Sequence, residues 1–89
     1  MSSSDELLSI PYRRVRVLWE DPVYDNGNPM PATSIASIQP IRRMDDGYLV
    51  HEDIDKVVLG VHPLIHEGEL WFDGRLVYPR RVVIKIVEG

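Results

Sequence analysis

Apolar and polar positions alternate from Tyr12 to Trp19, with Val15, Val17 and Trp19 on one side of an extended chain and Arg14, Arg16 and Leu18 on the other. A period of two carried by β-branched and aromatic residues predicts a half-buried strand. Glu20 to Ala32 breaks the pattern with three prolines, Asn26-Gly27 and three acids, a composition that predicts a long loop. From Ser34 to Met44 the isoleucines at 35, 38 and 41 recur every three residues while Pro40 interrupts any helix, so a short helical turn through Ser37 followed by extended chain is expected.

Two strands then bracket a polar turn at Asp53, Ile54 and Asp55, the first following Asp46-Gly47 and the second ending at Pro63. Glu69 to Phe72 and Arg75 to Tyr78 flank Asp73-Gly74, a pair that suits a type I′ hairpin turn. After a break at Pro79, Arg80 and Arg81, a last strand runs from Val82 to Val87 with Val82, Ile84 and Ile86 on one face. The count is about six strands with almost no helix, so the fold class is all-β. The strand order suits a small SH3-like or Sm-like antiparallel barrel with a long loop after the first strand, since closure removes exposed edges. An open antiparallel sheet that completes itself against another subunit is the second arrangement.

At 89 residues the chain has room for one core, which divides it into a flexible tail over residues 1–11 and one domain over 12–89. Ser4 ahead of Asp5, Glu6, Leu7 and Leu8 could open one helical turn, which Pro11 ends, and the segment does not resemble a secretory signal. The absence of cysteine excludes a disulfide framework, a thiolate nucleophile and thiolate metal sites. Apolar runs such as Val57 to Val61 are far shorter than the roughly 20 residues of a membrane-spanning helix, so no membrane partner is expected. A net charge of -4 argues against duplex nucleic acid, whose affinity rests on neutralising phosphates. A small anionic ligand needs only a few convergent arginines and is not excluded.

Arg14, Arg16, Arg80 and Arg81 are the candidate anion-binding cations, with Arg42 and Arg43 as further positions. Their plain alternative is a solvated strand face paired with Asp and Glu across the ladder. Tyr24 and Trp71 are the aromatics best placed to stack on a base, whereas Trp19 belongs to the apolar side of its strand. Trp71 and Phe72 are adjacent and face opposite ways in a strand, so one of them is exposed or lies in an interface. Metal binding is not expected, because the spacing of His62 and His66 would need a helix that Pro63 forbids. Asp45 with Asp46, and Glu20, Asp21 and Asp25, are the acidic groups that could pair in chemistry or merely cap turns. Neither a nucleophile-base set nor a glycine-rich phosphate loop is present, so no enzyme and no cofactor is predicted.

Three segments, VRVLWEDP (Val15 to Pro22), GYLVHED (Gly47 to Asp53) with the following VVLGV, and YPRRVVIKI (Tyr78 to Ile86), together resemble a group of short phage-encoded proteins, largely uncharacterised. The stretch from Asn26 to Ile38 departs from that group, which more often carries an acidic-leucine helical turn there. The resemblance implies a phage accessory protein in bacterial cytoplasm, in a class that includes homo-oligomers trapping host nucleotide signals. The resulting expectation is a non-catalytic trap in which Arg14, Arg16, Arg80 and Arg81, with Tyr24 and Trp71, hold a phosphate-bearing nucleotide. The alternative is a protein-interaction module or structural oligomer that binds a host or phage protein, and a small nucleotide hydrolase is the third class.

Overall fold

The computed structural model describes residues 9–22 and 27–89. Five strands, β1 (Arg14–Asp21), β2 (Ile41–Glu52), β3 (Lys56–His66), β4 (Glu69–Pro79) and β5 (Val83–Glu88), form one antiparallel sheet in the order β4-β3-β2-β1-β5. A four-residue helix, α1 (Ala32–Ile35), precedes β2, and a 3-10 turn over Arg80–Val82 leads into β5. The sheet is not closed into a barrel: β5 pairs with β1 alone and β4 with β3 alone. The barrel expectation is therefore corrected to an open sheet. The Arg80 N–H donates to the Asp55 carbonyl at 2.8 Å, which anchors the 3-10 turn beside the β2-β3 hairpin and delivers β5 to β1 instead of back to β4.

The alternation over β1 survives intact. Val15 and Val17 are fully buried with Val57 and Leu59 of β3, and Tyr78 of β4 completes the buried set. Trp19, Leu49, Leu76, Val82, Val83 and Ile86 pack around it. Each fully buried Val or Leu contributes about 1.5–3 kcal/mol relative to exposure. At one end of this core Asp45, opposite Val17 in the ladder, accepts hydrogen bonds from Trp19 Nε1 at 2.8 Å and from the Tyr78 hydroxyl at 2.6 Å. The two rings lie tilted at 5.4 Å between centroids. Burial, reinforced by the bond to Asp45, raises the Tyr78 hydroxyl above its ordinary pKa.

Several boundaries differ from the sequence expectation, each for a packing reason. Asp46-Gly47 does not precede the strand but lies in the middle of a twelve-residue β2, because Met44 to Tyr48 continue to pair with β1. The first strand accordingly extends through Asp21 and takes the start of the expected loop. Pro63 does not end β3; it sits opposite Phe72 and the strand runs on to His66. Asp73-Gly74 lies inside β4, and the reversal occurs instead at Glu67-Gly68, whose φ values of 52° and 77° are the paired positive angles of a type I′ turn. The expected pair of short strands is thereby merged into one, leaving five strands. A register shift between Leu18 and Trp19 bulges β5, so Val83 and Ile86 face the core while Ile84 is exposed, contrary to the alternation expected there. The tail expected over residues 1–11 and its helical turn lie outside the described residues as far as residue 8.

β2 and β3 pair only as far as Tyr48 and Gly60, so the chain beyond, through the Glu67-Gly68 turn and back to Gly74, is a two-stranded arm. Its base is held by Phe72, which lies 5.9 Å from Tyr48 and 6.2 Å from Tyr12 between centroids. Gly60 lies beneath that ring, where an added Cβ would come within 2.5 Å of Phe72.

Urea denaturation should therefore order three variants. Asp45→Ala orphans two donors at about 1–3 kcal/mol each and should cost more than Tyr78→Phe, which removes one partner at about 1 kcal/mol. Gly60→Ala should cost about 1–3 kcal/mol through displacement of Phe72.

Candidate functional site

The predicted cations do not converge. Arg14 and Arg16 are two apart on β1 and share its outer face. Arg16 forms a bidentate pair with Asp46, its direct ladder partner on β2, with Nε to Oδ1 at 2.7 Å and Nη2 to Oδ2 at 3.1 Å. That pairing raises the Arg16 pKa and lowers that of Asp46. The Arg14 guanidinium carbon stands 5.6 Å from the centre of the Tyr48 ring. Arg80, in the 3-10 turn, reaches Glu52 at 3.1 Å, and Arg81 is exposed. Arg80 lines a groove with Arg13, Glu52, Ile84 and Glu88, where Arg13 in turn pairs with Glu88 at 2.7 Å. Arg14 lines a different groove, of about 400 Å³, with Tyr48, His62, Pro63 and Leu76. Tyr24 falls outside the described residues. Trp71, half-exposed at 51%, sits on the arm away from both grooves.

The acids are equally committed. Asp45 and Asp46 are neighbours in a strand and so point to opposite faces: one binds the ring donors inside, the other Arg16 outside. They cannot act as a carboxylate pair. Glu20 lies 3.7 Å from Arg42, and Asp21 lies 2.6 Å from Arg43, both across the β1-β2 ladder. Among the described residues no three His, Asp or Glu side chains gather as metal ligands.

Exposed apolar side chains occur at several places, among them Ile54 at the β2-β3 turn and Met44 on β2, and Leu64, Ile65 and Trp71 gather on the arm. Directly paired residues share a face, which puts Leu64 with Trp71 on one side and Ile65 with Leu70 on the other. Leu64 is 42% exposed and Ile65 41%. His66 meets the Trp71 ring edge-on at 5.9 Å. A two-stranded ribbon is marginal in water by itself, and this one carries apolar groups on both faces. Of the sequence candidates only Trp71 belongs to this surface. Leu64 and Ile65 follow Pro63, where the sequence predicts the end of a strand, so their place on this surface is visible only in the structure.

The β2-β3 hairpin is fastened by one carboxylate. Asp53 accepts from the backbone N–H groups of Asp55 and Lys56 at 2.8 and 2.9 Å and contacts His51 Nε2 at 2.8 Å. A bulge after Leu49 turns His51 to the outer side. The bond to His51 first, then the two backbone donors, lower the Asp53 pKa to about 2.

Because this folded-state pKa lies below the unfolded carboxylate value of about 3.9, the stabilisation from Asp53 is complete above that value. It is lost as pH falls towards about 2. A side-chain NMR titration should place the Asp53 midpoint near 2, and Asp53→Ala should lower hairpin amide protection at neutral pH; a midpoint near 4 would contradict the arrangement. Comparison with protein-family models, with curated proteins and with solved structures found no match to this chain.

Proposed function

We propose that the chain is a non-catalytic protein-interaction module that presents the β3-β4 arm to a protein partner. The observation that carries this reading is the exposure of Leu64, Ile65 and Trp71 on a ribbon projecting beyond the rest of the sheet. Of the arginines an anion trap would use, Arg16, Arg42 and Arg43 are instead matched to acids across the ladder and Arg80 to Glu52. Such a module would serve a phage accessory protein acting in a bacterial host. The chain order, with β1 between β2 and β5 and a 3-10 turn ahead of β5, supports an SH3-like connectivity left open at its edges.

A nucleotide trap is the second reading. It is favoured by the cation-over-ring contact of Arg14 and Tyr48, which lines a groove with His62. Calorimetric titration with cyclic dinucleotides separates the two: a saturable heat that Arg14→Ala abolishes would replace the interaction reading.

Capture from a bacterial lysate on immobilised protein, quantified by mass spectrometry, tests the arm directly. The double variant Leu64→Ser with Ile65→Ser should retain the β-sheet circular dichroism spectrum and recover specific partners at least about tenfold less well. Undiminished recovery would remove the arm from the interaction.

A further inference from the structure

The free edges of the sheet differ in how well they can accept another strand; that of β2 runs only over Ile41–Gly47, where β3 does not reach. Beyond Gly60 the β3 edge carries His62 at a φ of 53° and Pro63, which has no N–H to offer. β5 spans six residues and is bulged against β1. β4, in contrast, pairs with β3 on one side only and runs without proline from Glu69 to Tyr78. Among the described residues it is the longest of these edges.

The direction of its backbone groups follows from the turn. A two-residue type I′ loop makes His66 and Glu69 a hydrogen-bonded pair, and alternation in the unshifted register then gives Leu64 with Trp71, Gly60 with Arg75 and Val58 with Val77 the same character, with the ladder interrupted only at His62, whose φ is 53°. Pro63 falls on a non-bonded pair with Phe72, as its missing N–H requires. The backbone groups of Leu70, Phe72, Gly74, Leu76 and Tyr78 therefore point away from β3 to the free side.

The side chains between them read Trp71, Asp73, Arg75 and Val77, all exposed on one face. This series is its own complement when reversed. We propose that β4 pairs antiparallel with β4 of a second copy of this chain, about a two-fold axis at Gly74. In that register Asp73 faces Arg75 of the second copy, Arg75 faces its Asp73, and each Trp71 lies opposite a Val77. The outward backbone groups of Gly74 meet their own equivalents, and those of Phe72 meet Leu76. The two ion pairs and two apolar pairs fall on non-hydrogen-bonded positions, where facing side chains approach most closely. A closed two-fold contact also removes both β4 edges from further association. This inference deepens the reading of the arm as an interaction surface and rests on it, naming the occupant of one edge.

Sedimentation equilibrium across the micromolar range tests the register. The unaltered chain should approach twice its 10.2 kDa mass. Arg75→Asp and Asp73→Arg should each weaken association about tenfold by setting like charges opposite one another twice per dimer. The double variant carrying both changes should restore it. Amides of Phe72, Gly74 and Leu76 should be protected from exchange in the unaltered chain and released in Arg75→Asp, while circular dichroism reports an unchanged sheet. A monomer at every concentration, single variants that associate normally, or a double variant that stays dissociated would each overturn the proposal. Leu64→Ser with Ile65→Ser leaves the β4 edge intact and should remain dimeric. Failure of the charge exchange is thus distinct from failure of the arm to bind a protein partner.

Discussion

The hydrogen bonds from Trp19 and Tyr78 to Asp45 allow so small a core to be finished at all. Four aliphatic side chains and one ring form the buried set, and two large aromatics must close one end of it. An indole N–H or a phenol O–H can leave water only if it finds an acceptor, and one carboxylate on β2 supplies it to residues from β1 and β4. Three strands that are not all neighbours are thereby tied at a single oxygen. No buried side-chain polar atom among the described residues lacks a partner.

Strand alternation places the next carboxylate, Asp46, outside, where it pairs with Arg16 as Glu20 does with Arg42, while Asp21 pairs with Arg43 on the other face. Exposed pairs of this kind contribute little stability. Their consequence here is to occupy cations and acids that might otherwise meet a ligand. On the arm, by contrast, the exposed groups include Leu64, Ile65 and Trp71.

The arm exists because two sequence features act against expectation. Gly60 leaves space for the Phe72 ring to fold over the sheet, bringing it beside Tyr48 and Tyr12. Pro63 is tolerated because its missing N–H falls on a pair that needs no ladder bond with β4. Together they let the β3-β4 ribbon continue past the end of β2, and this overrun leaves one β4 edge available along its length.

Local patterning already determined the all-β class, the first strand with Val15 and Val17 inward and Arg14 and Arg16 outward, the turn at Asp53 to Asp55, the break at Pro79 to Arg81, and the opposite facing of Trp71 and Phe72. These depend on residue type and a period of two, which act over a few positions. Tertiary pairing decided the rest. Glu67-Gly68 prevailed over Asp73-Gly74 as the reversal because only that register sets Val57 against Tyr78 and Leu59 against Leu76 in the core. Whether arginines converge or meet acids, and whether the sheet closes, likewise turned on strand partners far apart in the chain: Arg16 and Asp46 become neighbours only when β1 and β2 align.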